Sequence, residues 1–144
     1  MKKPKFLWHG SIKKFNFLNP SKAKDNSGEN ESNLFGVYAT DIKELAIGFG
    51  LIDKKYDKFA DYNKNPVQMV VINGEIRKGE SFYLYKISSK DFTEKPKNSH
   101  QWFSFKKVKP LEILKLEVDD YNYLTRKATK KDIKYYKSII GKFK

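Results

Sequence analysis

A chain of 144 residues with 39% hydrophobic and 15% aromatic side chains is the size of one domain and can build one core. It has no cysteine, which excludes disulfides, thiolate catalysis and cysteine-ligated zinc and agrees with a reducing, cytoplasmic setting. The formal net charge of +13 sits at the two ends: residues 1–24 carry seven lysines and no acid, residues 125–144 carry eight lysines or arginines against Asp132, and the interior sums to −1.

No stretch approaches the roughly 20 apolar residues that cross a bilayer, and Met1-Lys2-Lys3-Pro4-Lys5 leads into a strand-like segment rather than a signal-peptide core. A soluble intracellular protein with no membrane segment is expected. Lys5 to Ser11, rich in aromatic and apolar residues, is the first predicted strand, stopped by Gly10. From Asn19-Pro20 through Lys24 to Asn33 the chain has almost nothing to bury and reads as an exposed loop. Leu34 to Ala39 reads as a second strand. Thr40 or Asp41 offers an N-cap, with Glu44 three residues beyond Asp41, and Ile42, Leu45, Ala46 and Phe49 fall on one face of a helix that should stop near Gly50.

Residues 53–66 read as a polar connecting loop. Val67 to Ile72, Phe82 to Ile87, Gln101 to Phe105 and Leu111 to Val118 have strand composition, with turn signals at Asn73-Gly74 and Lys78-Gly79 and one short helical turn over Ser88 to Phe92. Thr129, with Asp132 three residues on, starts a last helix whose Ile133, Tyr136, Ile139, Ile140 and Phe143 share a stripe. The expected architecture is an α+β domain with a pair of antiparallel or mixed sheets, one helix after the second strand and one at the C-terminus.

Only His9 and His100 occur in the chain, and with no cysteine they leave little scope for a metal centre, so no metal is expected. His9 ends an apolar run with Gly10 and Ser11 behind it. An imidazole can donate and accept hydrogen bonds, glycine admits close approach to the backbone, and Tyr38 can supply a flat face for a stacked ring. Each also has an ordinary reading. His9 can be a strand histidine bonded to backbone, Tyr38 and Trp8 can be core, Gln101 a strand-edge residue, and His100 a solvated side chain or a supplementary acid or base.

Leu7-Trp8-His9-Gly10-Ser11 and Phe35-Gly36-Val37-Tyr38-Ala39-Thr40-Asp41 resemble the first two signature strands of ADP-ribosyltransferases of the diphtheria-toxin and poly(ADP-ribose) polymerase type, whose His and Tyr belong to a His-Tyr-Glu triad. The resemblance covers about fifteen residues; beyond them the architecture is compatible. Gln101-Trp102-Phe103-Ser104 before Val108-Lys109-Pro110-Leu111 also resembles small bacterial proteins in which Glu-Trp-Val-Ser precedes Val-Lys-Pro-Leu.

The resemblance implies an ADP-ribosyltransferase-like split β-sheet core, NAD as cofactor, His9, Gly10, Ser11 and Tyr38 as its binding residues, and His9, Tyr38 and Gln101 in the catalytic positions. His9 would bond the adenosine ribose, the Gly10 backbone the nicotinamide carboxamide, and Tyr38 would stack on the nicotinamide. Gln101 stands where the family has Glu. An amide keeps a hydrogen bond to the ribose 2′-hydroxyl but supplies neither negative charge nor a general base. That argues against chain elongation and leaves open transfer of one ADP-ribose unit, an inactive module binding NAD, ADP-ribose or nucleic acid, or a carboxylate from Glu75, Glu80 or Glu112. Eight residues past Tyr38, Ala46 replaces a ligand-contacting serine of the polymerases. If the basic termini meet, they form one patch facing a nucleic acid or an acidic protein surface; the alternative is a solvated lysine-rich surface.

Overall fold

The computed structural model describes residues 3–22 and 35–142. The expected loop segment 24–33 and Leu34 lie outside the described residues, as does Phe143. The chain is α+β, with a mostly antiparallel main sheet and two helices. In order it forms β1 (Phe6–Ser11), β2 (Ser21–Lys22), β3 (Phe35–Thr40), α1 (Lys43–Leu51), β4 (Lys58–Asp61), β5 (Gln68–Val71), β6 (Ser81–Ser88), β7 (Thr93–Glu94), β8 (Gln101–Ser104), β9 (Glu112–Glu117), β10 (Thr125–Lys127) and α2 (Lys130–Lys142). The main sheet runs β7-β8-β3-β1-β6-β9, with β2 on β3, and a second sheet runs β10-β5-β4.

Period-2 alternation gives the main sheet two apolar faces, and each is covered. On one face Phe82 and Leu84 of β6 pack under Leu45, Ala46 and Leu51 of α1 and against Met69 and Val71 of β5. On the other, Leu7, Val37, Ala39, Tyr85, Ile87 and Trp102 are sealed by Leu18 and Phe92 from connecting segments. Reciprocal backbone bonds between Leu18 and Val108, of 2.8 and 2.9 Å, pin one of those segments to the chain ahead of β9.

Several expectations need correction. α1 begins one or two residues later than the capping pattern suggests, after Ile42, with no side-chain cap. The reason is competition: Asp41 is bonded by Trp102 and His100, and Thr40 Oγ1 accepts from the Ile42 N–H at 3.1 Å. Phe49 is 46% exposed, whereas Ile47, Gly48 and Gly50 are buried, because sheet and β5 enclose α1 from two sides. The polar stretch 53–66 contains β4, an edge strand whose Phe59 lies 5.3 Å from Tyr135 and 6.3 Å from Tyr136 of α2. Ser88 to Phe92 makes a turn closed by Phe92 N–H to Ser89 O at 3.0 Å, not a helix. β10 pairs in parallel with β5, and its Arg126 bridges Asp61 of β4 and Asp132 of α2. At the start of α2, Thr129 and Asp132 form a reciprocal capping box. Among the described residues, no helix is long and apolar enough to cross a membrane.

Candidate functional site

The site begins where the main sheet opens. β1 pairs with β6 along its whole length, from Phe6 opposite Ser88 to Ser11 opposite Tyr83, but meets β3 at one register pair, Trp8 opposite Thr40. β3 instead pairs along Val37 to Thr40 with β8 on its other side. Past Trp8 the two strands therefore part, and His9 and Gly10 line one lip while Ala39 and Tyr38 line the other.

The His9 ring bridges this opening. Its Nδ1 lies 2.7 Å from the Tyr38 carbonyl oxygen. A carbonyl only accepts, so Nδ1 carries the proton and donates, which leaves Nε2 as an acceptor in the neutral ring. No described residue bonds Nε2, and no sealed polar side-chain atom lacks a partner, so Nε2 remains open to solvent or ligand. Burial pushes the imidazole pKa below its ordinary value, outweighing the Tyr38 carbonyl, and the Lys54 charge acts in the same direction as burial. The ring packs edge-on against Tyr85 at 5.8 Å. Tyr85 is itself fixed, its hydroxyl donating to Lys13 O at 2.9 Å and accepting from Phe15 N–H at 2.7 Å.

The phenol leaves on the other side. Val37 and Ala39 belong to the cluster with Leu7 and Tyr85, so alternation sends Tyr38 to the α1 face, where it meets Phe103 edge-on at 5.2 Å. The expectation that both rings converge on one groove is therefore corrected by strand alternation: imidazole and phenol flank the opening from opposite faces, joined through the Tyr38 backbone. Gln101, opposite Thr40, shares the Tyr38 face, and its Nε2 donates to Lys95 O at 2.8 Å. Gly10 lies directly under α1: a Cβ there would stand 1.9 Å from Ala46 O. Close helix packing therefore explains both the glycine and the small residue facing it. Ser11 is buried and its hydroxyl accepts from Lys13 N–H at 3.2 Å, shaping the bend after β1.

The substitute carboxylates do not gather at Gln101. Glu112 heads β9, with β3, β1 and β6 lying between it and β8; Glu80 bonds Arg77 at 3.4 Å; Glu75 lies 4.0 Å from Lys127. The acids that do stand at this end of β8 are Asp41, read from the sequence only as a helix cap, and Glu94, not singled out there. Asp41 accepts from His100 Nδ1 and Trp102 Nε1, both at 2.9 Å, and Glu94 accepts the backbone N–H groups of Asn98 and His100 at 3.0 and 3.1 Å. Tyr62 stacks on the His100 ring at 5.8 Å. Asp41, Glu94 and His100 offer donor atoms within 4.8 Å of one another, a spacing open to a cation, though each is engaged by these hydrogen bonds. The sequence signal was slight: an acid directly after the Tyr38 strand, and a histidine directly before Gln101. Searches of the chain against protein-family models, curated proteins and solved structures returned no match.

Proposed function

We propose that this protein is an NAD-dependent mono-ADP-ribosyltransferase-like enzyme acting on a macromolecular target. The observation that carries the reading is the opening between β1 and β3, with the His9 tautomer set by the Tyr38 carbonyl and Nε2 left to accept. In this reading Nε2 accepts from an adenosine-ribose hydroxyl, and the Gly10 backbone holds the nicotinamide carboxamide. Because the Tyr38 ring and Gln101 stand on the other face of the sheet from the His9 ring, this reading requires the nicotinamide end of the dinucleotide to pass through the opening, where Tyr38 gives it a stacking face and the Gln101 amide bonds the 2′-hydroxyl of the reacting ribose. These contacts orient the dinucleotide around a bond whose cleavage leaves positive charge on the sugar. Nicotinamide departs with the bonding electron pair, and the acceptor's nucleophile closes on the same carbon as it loses its proton.

A second reading is a binding module that keeps the cleft without turnover. It is favoured by the Gln101 side chain, a neutral amide whose Nε2 is committed to Lys95 O. Incubation with NAD labelled in its adenylate half, with and without Gln101→Glu, separates the two. Label on protein or nucleic acid, or release of nicotinamide, supports the enzyme. Saturable NAD binding with neither product supports the module, and no binding at all rejects both.

A further inference from the structure

We propose that the outer half of β1 is a binding ridge for a single-stranded nucleic acid. β1 runs out from under α1: Gly10 lies against Ala46, Trp8 packs at the margin of the α1 core, and Trp8 and Phe6, on the same face, are both only partly buried. Two residues of strand set the Phe6 and Trp8 Cα atoms about 6.6 Å apart on one face, so the two rings can serve successive bases. Three ammonium groups lie over these rings. Lys43 Nζ, from the first turn of α1, is 4.9 Å from the Trp8 centroid; Lys86 Nζ is 4.2 Å from Phe6 and 5.9 Å from Trp8; Lys5 Nζ is 5.5 Å from Phe6. Among the described residues none of the three makes an ion pair, although Glu112 sits opposite Lys86 in β9 and Glu44 follows Lys43.

This arrangement combines what sequence-independent recognition of a single strand requires: flat apolar rings to stack on and mobile cations to meet the phosphates. The lysines shield the rings in the free protein and swing to the phosphates as bases take their place. A duplex offers no free base faces, so it gains the charge contacts alone. Trp8 is also the register partner of Thr40, which pairs on its other side with Gln101 of β8, so a strand lying on the ridge ends at the opening of the sheet. The ridge thus deepens the proposed transfer reaction by naming its acceptor, while binding itself does not depend on that reaction.

The test is fluorescence anisotropy with short oligo-dT, oligo-U and a duplex of the same length, across a salt series, on wild type and on the Lys5→Ala/Lys43→Ala/Lys86→Ala variant, whose three side chains belong to neither core cluster. Single strands should bind more tightly than the duplex, the triple variant should lose about tenfold or more, and its log–log salt slope should shrink by about 2, with three fewer phosphate contacts. The DNA and RNA arms tell which sugar is preferred. With Trp102→Phe as background, saturation should quench Trp8 emission. Equal binding by the triple variant, a duplex preference, or unchanged Trp8 emission at saturation overturns the ridge. Binding without any NAD turnover leaves the ridge standing and removes the transfer reaction; turnover without oligonucleotide binding does the reverse.

Discussion

The His9 imidazole donates from Nδ1 to the Tyr38 carbonyl oxygen across 2.7 Å, tying together the two strands at the point where the sheet opens. Because burial holds the ring's pKa below its ordinary value, the unfolded chain takes up a proton more readily than the folded one as pH falls. This contribution to stability is complete above about pH 6.5 and is lost as pH drops through that value toward the folded pKa. Urea melts at several pH values should therefore show a steeper loss below neutrality in wild type than in His9→Gln. Identical slopes would mean that the ring is solvated.

Gly10→Ala tests the seat of α1 on β1. The added methyl would meet a helix backbone oxygen rather than a flexible side chain, so α1 must shift, at a cost on the order of 2 kcal/mol. Chemical denaturation should report a lower midpoint with an unchanged slope. An unaffected midpoint would place α1 elsewhere.

Gln101→Glu, the variant that restores the family's acid, should carry a structural cost. A carboxylate cannot donate to Lys95 O and is repelled by it, so the variant should lose about 1 kcal/mol of stability relative to wild type. If the transferase reading is right, nicotinamide release rises in the same variant. Stability and turnover therefore move in opposite directions, and a thermal melt beside the NAD assay checks both.

At the other end of the chain, Arg126 holds the Asp132 carboxyl well below the usual carboxylate range, helped by the Thr129 N–H. The stabilisation is present above about pH 4 and disappears as pH falls further. Asp132→Asn should lower the midpoint of the helical circular-dichroism melt at neutral pH and should flatten its acid dependence. A melt with the same acid dependence as wild type would contradict this.

The strands of apolar and aromatic composition were legible in the sequence: β1, β3, β5, β6, β8 and β9 fall within a residue or two of where composition and turn signals place them. The capping box of α2 could be read from Thr129 and Asp132 because its bonds span three residues. What escaped was held by distant partners. β4 and β10 are short and polar and exist because β5 lies between them, with Phe59 on α2 and Arg126 clamped by two acids. Asp41 looked like a helix cap, and only the arrival of β8, sixty residues later, gives it Trp102 and His100 instead. At the candidate site, the residue types of His9, Gly10 and Tyr38 were readable. Their distribution over two faces of the sheet, and the packing reason for Gly10, depend on pairing that no local pattern carries.

The most direct measurement is long-range nitrogen–proton NMR of the His9 ring, titrated with NAD. The expected result is a neutral ring protonated at Nδ1 in the free protein, and an Nε2 resonance that alone among the histidine nitrogens shifts upfield as a ribose hydroxyl bonds to it. A ring protonated at Nε2, or an Nε2 signal unmoved at saturating NAD, would contradict it.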